Sequence, residues 1–197
     1  MKDVIDDPMA KQVVLRRGTP DDAELLIEVF TLASKGIANH FWAQTAAREG
    51  RSEHEVALER VTGKLADPAN SVWVAEVDDQ STAAILAYAI GDVPEPLDGL
   101  PPLVVPLVGL ENRAAGTVYV NVLAVRPDFR RLGIGSNLLA RAAEEAQDRP
   151  LSLIVSDANS AARATYEAFG FRYGPSAPMV KDGWQGRGEN WLLMTTA

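Results

Sequence analysis

The 197-residue sequence predicts one α+β domain, with helices gathered before and around a sheet. Three observations carry that expectation. Helix start signals dominate residues 19–65. Two apolar, β-branched runs, Ser71 to Val77 and Thr82 to Val93, are separated by a short acidic turn. Val118 to Leu139 then reads as strand, glycine turn and helix in succession. A chain of this length buries roughly 70% of its unfolded surface, so a core needs neither disulfide nor metal.

In chain order, residues 1–11 are polar and are expected to form a poorly ordered tail ahead of a single domain over residues 12–197. Val13 to Arg16 opens the sheet. Gly18-Thr19-Pro20-Asp21-Asp22 is a helix start: Thr19 is the N-cap, Pro20 suits the first turn, and acids sit at the positive end of the helix. Leu25, Leu26, Val29, Phe30 and Ala33 recur on one face behind it, and Gly36 ends it. Ile37 to Ala47, with His40, Phe41 and Trp42, is expected to be a short helix. Ser52-Glu53-His54-Glu55 has the form of a capping box ahead of Val56, Leu58, Val61 and Leu65.

The two strand runs meet at Asp78-Asp79-Gln80 as a hairpin. Residues 94–116, rich in Pro and Leu, make a connection too long for a plain loop, which points to an acceptor-site or interface role. Beyond the central stretch, Leu151 to Val155 is a short strand and Phe171-Arg172-Tyr173 starts another. Residues 174–188 form a Gly/Pro-rich loop, and Trp191 to Thr195 is the last strand.

Composition removes several classes of function. A formal net charge of −8 argues against nucleic-acid binding, which wants basic patches. It suits cationic partners such as amines. Cysteine is absent, excluding disulfides and a thiol nucleophile, and two histidines leave little for a metal site. No signal-peptide core and no apolar run of membrane-spanning length is present; Leu103 to Leu110 is too short and contains Pro106. A soluble, cytoplasmic protein with no membrane partner is the expectation.

The chemistry lies between Val118 and Phe171. Val-Tyr-Val-Asn-Val-Leu-Ala-Val is a buried strand that Pro127 terminates. Arg130-Arg131-Leu132-Gly133-Ile134-Gly135 follows as a turn, and Ile134, Leu138, Leu139 and Ala142 then recur at helical spacing. The first turn of a helix has unpaired N–H groups and partial positive charge, and glycines admit a phosphate close to the backbone. The nucleotide-hydrolase and dinucleotide fingerprints are both missing. What stands here, Arg-x-x-Gly-x-Gly, resembles the acetyl-CoA signature of the GNAT superfamily of N-acetyltransferases.

A second stretch agrees. Leu151 to Phe171 is similar to that family's next element, with Asn159 opening a helix, Tyr166 two turns on, and Gly170 closing it before Phe171. Asn159 and Tyr166 are seven apart and share a face.

The resemblance implies the GNAT fold, a mixed, mostly antiparallel sheet flanked by helices, and acetyl-CoA as acyl donor. It places the pyrophosphate on the N–H groups of Gly133, Ile134, Gly135, Ser136 and Asn137, near Arg130 and Arg131, with Asn159 beside the cofactor. It lays the pantetheine along Leu123, Ala124 and Val125, with an N–H near Leu123 polarising the thioester carbonyl. Tyr166 becomes the acid that protonates the leaving thiolate.

The base is less marked. The central strand offers Tyr119 and Asn121 but no carboxylate, so Glu111 just ahead of it is the candidate, with a solvated loop acid as the alternative reading. His40 and Trp42, with Asn121, are candidates for the acceptor pocket; a structural His40 is the alternative there. The implied activity is direct attack of an amine on acetyl-CoA in a ternary complex, with a small-molecule or peptide acceptor. An acyl-CoA sensor, or an interaction module docking through Leu103 to Leu110, stays open beside it, as does a homodimer.

Overall fold

A computed structural model describes residues 12–197; the tail expected over residues 1–11 lies outside the described residues. The chain runs β1 (Val13–Arg17), α1 (Ala23–Ser34), α2 (Ile37–Glu49), α3 (Glu53–Ala66), β2 (Asn70–Val77), β3 (Gln80–Ala89), α4 (Val105–Glu111), β4 (Val118–Val125), α5 (Ile134–Ala146), β5 (Leu151–Ser156), α6 (Ser160–Phe169), β6 (Arg172–Pro178) and β7 (Asn190–Thr195). The strands form one sheet in the order β1-β2-β3-β4-β5-β7-β6. All neighbours pair antiparallel except β4 and β5, which α5 joins as a crossover. The expected α+β class, a mostly antiparallel sheet with flanking helices, is what the chain adopts.

Local chemistry accounts for the helix starts. The Thr19 N–H donates to Asp22 Oδ2 at 2.8 Å, and Asp22 also takes a two-pronged ion pair from Arg16 at 2.7 Å. Although burial favours the neutral acid, these bonds hold the Asp22 carboxyl below its ordinary range. Ser52 and Glu55 form the capping box on α3. The β2–β3 turn places Asp78 and Asp79 at φ 51° and 61°, the left-handed pair that a two-residue hairpin requires.

Three expectations shift. β3 stops at Ala89, short of Val93. β6 runs to Pro178, into the stretch read as loop. The 94–116 connection carries α4, because Pro106 stands in the first helical turn, where a missing N–H costs nothing.

Apolar side chains fill both faces of the sheet. One face packs α5 and Phe171 on β2–β5; the other packs α1, α2 and α3 on β2–β4. β4 contributes to both, and its alternation changes phase midway. Val118 and Val120 lie in the first core, yet beyond Asn121 that side is taken by Leu123 and Val125, while Val122 and Ala124 join the second. The cause is a bulge: Leu86 pairs with Val122 and Ala87 with Val120, leaving Asn121 as the extra residue.

Candidate active site

β4 and β5 pair at only two positions, Val118 with Leu151 and Tyr119 with Ser152, and then part. The bulge at Asn121 comes two residues after the last pair, where added twist turns β4 away from its neighbour. From residue 120 onward the β5-facing edge of β4 has no strand partner over six residues, about 20 Å. A cleft of about 740 Å³ occupies this opening. Its walls come from the end of α1 and start of α2, from α4, β4, β5 and α6, and from the turn before α5.

The backbone along β4 is set by alternation. The Arg126 N–H donates to Thr82 O across on the β3 side. Residues two apart point their amides the same way, so the N–H and C=O of Ala124 are also turned to β3. Those of Leu123 and Val125 face the opening. The Val125 carbonyl already accepts from Arg130 Nε at 3.1 Å, which draws that guanidinium to the cleft wall.

At the end of the opening, Gly133 adopts φ 76°, a left-handed geometry that suits glycine, and α5 starts behind it. Gly133, Ile134, Gly135 and Ser136 all line the cleft with Arg130 and Arg131. Asn137 does not: its N–H is spent on the Gly133 carbonyl at 3.0 Å, the first internal bond of the helix. The amides before it have no intrahelical carbonyl to meet.

On α6, Asn159 Oδ1 accepts from the Ala162 N–H at 3.4 Å, so this side chain caps the helix while lining the cleft. Gly170 closes the helix at φ 118°. Tyr166 lines the cleft with its ring 5.7 Å from that of Phe171, and burial alone pushes its phenol up to about 12.

Glu111, at the end of α4, also lines the cleft. The Tyr88 hydroxyl donates to its Oε2 at 3.0 Å. Burial raises the Glu111 carboxyl above its ordinary range; the Tyr88 bond opposes that, Glu95 adds to it, and Lys64 lowers it again. Tyr88 and Tyr119 pack at 5.5 Å, and burial lifts both phenols.

Asn121 lies in the cleft, whereas His40 and Trp42 are not among its lining residues. His40 Nε2 meets Gln44 at 2.9 Å, and Trp42 is buried in a smaller neighbouring cavity. Sequence reasoning missed Tyr88, Trp184, Arg187 and Trp191. Trp184 Nε1 donates to Lys35 O at 3.1 Å and stacks on Trp191, which pins the loop before β7 across the cleft. A cluster of two Trp and three Gly between Lys181 and Trp191 was the available signal.

Known proteins share the fold. The fold is similar to that of the PaiA N-acetyltransferase from Thermoplasma acidophilum in complex with coenzyme A (18% identity, 94% of this chain and 98% of that one, TM-score 0.57). It is similar to an acetyltransferase from Thermus thermophilus (22% identity, 94% and 97%, TM-score 0.56). A GNAT family acetyltransferase from Elizabethkingia anophelis with acetyl-CoA bound is alike too (14% identity, 93% and 97%, TM-score 0.58). No curated protein sequence matches the chain. Residues 35–171, more than half of the chain, match the model of the acetyltransferase (GNAT) family, and the chain belongs to that family.

Proposed function

We propose that the protein transfers the acetyl group of acetyl-CoA to the amine of a small acceptor, by direct attack in a ternary complex. The observation that carries this reading is the parting of β4 from β5, which leaves the amides and carbonyls of Leu123 and Val125 facing a cleft that ends on the first turn of α5. Pantetheine is extended and amide-bearing, so it pairs with such an edge as an added strand would. Its pyrophosphate then meets the amides of Gly133 to Ser136, with Arg130 and Arg131 supplying positive charge. The Thermoplasma and Elizabethkingia proteins, which hold coenzyme A and acetyl-CoA on this fold, support the choice of donor.

The reaction forms an amide C–N bond and breaks the thioester C–S bond. An alkylammonium with pKa near 10.4 must first lose a proton, and a carboxylate lifted by burial is a better base than a solvated one. Glu111 takes that proton directly or through water, with Tyr88 fixing its orientation. The amine attacks the carbonyl carbon, the Leu123 N–H stabilises the developing oxyanion, and the attacking nitrogen, now cationic, loses its second proton to solvent as the C–S bond breaks. Tyr166 donates to the departing sulfur. A phenol near 12 keeps its proton throughout the neutral range, so the donor is always charged with its hydrogen. Against a thiol near 8.5 it acts first by hydrogen bonding and completes the transfer as solvent restores its proton.

Release of free CoA thiol from acetyl-CoA, measured across a panel of amino acids, polyamines, aminoglycosides and peptides, tests the reading. Amine-dependent release with an N-acetylated product supports it. Acetyl-CoA binding without release to any amine points instead to a sensor.

A further inference from the structure

Beside the main cleft lies a second cavity of about 340 Å³, between α2 and α3. Phe30, Phe41 and Trp42 give it aromatic walls, and Arg60 and Lys64 line it from successive turns of α3. Like charges four residues apart on a helix repel. Elsewhere near this helix, cations are paired: Arg51 meets Glu59 at 2.7 Å and Glu49 at 3.1 Å. Among the described residues, neither Arg60 nor Lys64 has a carboxylate within ion-pair distance. Lys64 is partly buried, lies 5.9 Å from the Phe30 ring, and is held below the ordinary lysine range by burial despite the pull of Glu111 and Asp67. In a chain of net charge −8, two cations lining one aromatic cavity, Arg60 at its exposed rim, with no carboxylate in ion-pair contact mark a place for an anion.

The cavity adjoins the reacting end of the main cleft. Phe30 and Ala38 line both, and the Lys64 charge acts on Glu111. A ligand that rests its side chain on Phe30 and Trp42 and its carboxylate on Lys64 and Arg60 leaves the amine on the same carbon free to turn toward Glu111. We propose that this cavity binds the side chain and carboxylate of the acceptor, which makes the acceptor an apolar or aromatic amino acid. The proposal rests on the acetyl-transfer reading for what happens to the amine, but the binding itself is measured apart from turnover.

Calorimetric titration of the CoA-saturated protein with phenylalanine and with phenylalaninamide isolates the carboxylate. The acid should bind at least about tenfold more tightly than the amide, one charge-assisted contact's worth. Lys64→Met and Arg60→Gln should each remove most of that preference, bringing the acid down toward the amide. Urea melts of both variants establish that they fold. Equal affinity for acid and amide, no binding of either, or an undiminished preference in both variants overturns the proposal. An intact preference for the acid with no amine-dependent CoA release leaves the cavity's assignment standing and overturns the acetyl-transfer reading instead.

Discussion

Gly135→Asp separates binding of a phosphate from every other role of the turn. Gly135 is not one of the residues at positive φ, and a Cβ built there meets only Val125 Cγ2, at an ordinary 3.8 Å. The fold therefore accepts a side chain, and any loss of affinity comes from charge. A carboxylate about 4 Å from a phosphate charge costs about 4 kcal/mol at an effective dielectric of 20 and about 1 kcal/mol in bulk water. The mouth of the cleft lies between these limits, so CoA affinity should fall by about fivefold to a thousandfold. Gly135→Ala, which adds volume without charge, should bind nearly as wild type. Calorimetry with CoA reads the affinity, and urea denaturation of the free protein should show Gly135→Asp as stable as its parent. Unchanged CoA affinity in that variant would falsify the placement of the pyrophosphate on α5.

Other substitutions probe the chemistry and the fold. Tyr166→Phe keeps the ring against Phe171, so kcat should fall about 10²–10⁴-fold while calorimetric CoA affinity holds; a normal kcat removes the acid role. Glu111→Gln should lower kcat/KM most at neutral pH and less at high pH, where more acceptor is already deprotonated; a loss uniform in pH contradicts the base assignment. The same variant should be more stable than wild type at pH 8. With a folded pKa above the unfolded one, neutral Glu111 contributes fully below the unfolded value of 4.5, and that contribution is lost as pH rises through the folded pKa; Gln does not lose it. The two stabilities should converge near pH 4. Asp22→Ala should cost about 1.5–3 kcal/mol in urea denaturation at pH 7, less than a fully buried pair, since the Arg16 side chain is 34% exposed and keeps Glu76 at 2.7 Å. Asp22 has a depressed pKa, so its contribution is present above the unfolded 3.8 and disappears as pH falls through the folded value; the difference from wild type should shrink below pH 4.

The parts of the molecule legible in the sequence are those made by near neighbours. Ser52 with Glu55, Thr19 with Asp22, Gly170 after Phe169 and the glycine turn before α5 are local arrangements, and each stands where composition and spacing put it. The opening that makes the cleft was not legible. Val-Tyr-Val-Asn-Val-Leu-Ala-Val shows no break, because the bulge at Asn121 arises from the register with β3, some 30 to 40 residues away. That one extra residue decides which of Leu123, Ala124 and Val125 can face a ligand. Tyr88 was hidden for the same reason: only the approach of α4 to β3 gives its hydroxyl a carboxylate to hold. The helix within the 94–116 connection was not legible either: it is only seven residues long, and Pro106 takes its first turn, where no N–H is needed.

Amide hydrogen exchange followed by NMR, with and without CoA, tests the central claim most directly, because it reads the β4 edge residue by residue. The Ala124 amide is committed to β3 and should exchange slowly in both states. The amides of Leu123 and Val125, and those of Gly133 to Ser136, should exchange freely in the unliganded protein and slow markedly when CoA binds. Protection confined to other regions, or Leu123 and Val125 amides left unprotected at saturating CoA, would contradict the account of the parted strands as the cofactor site.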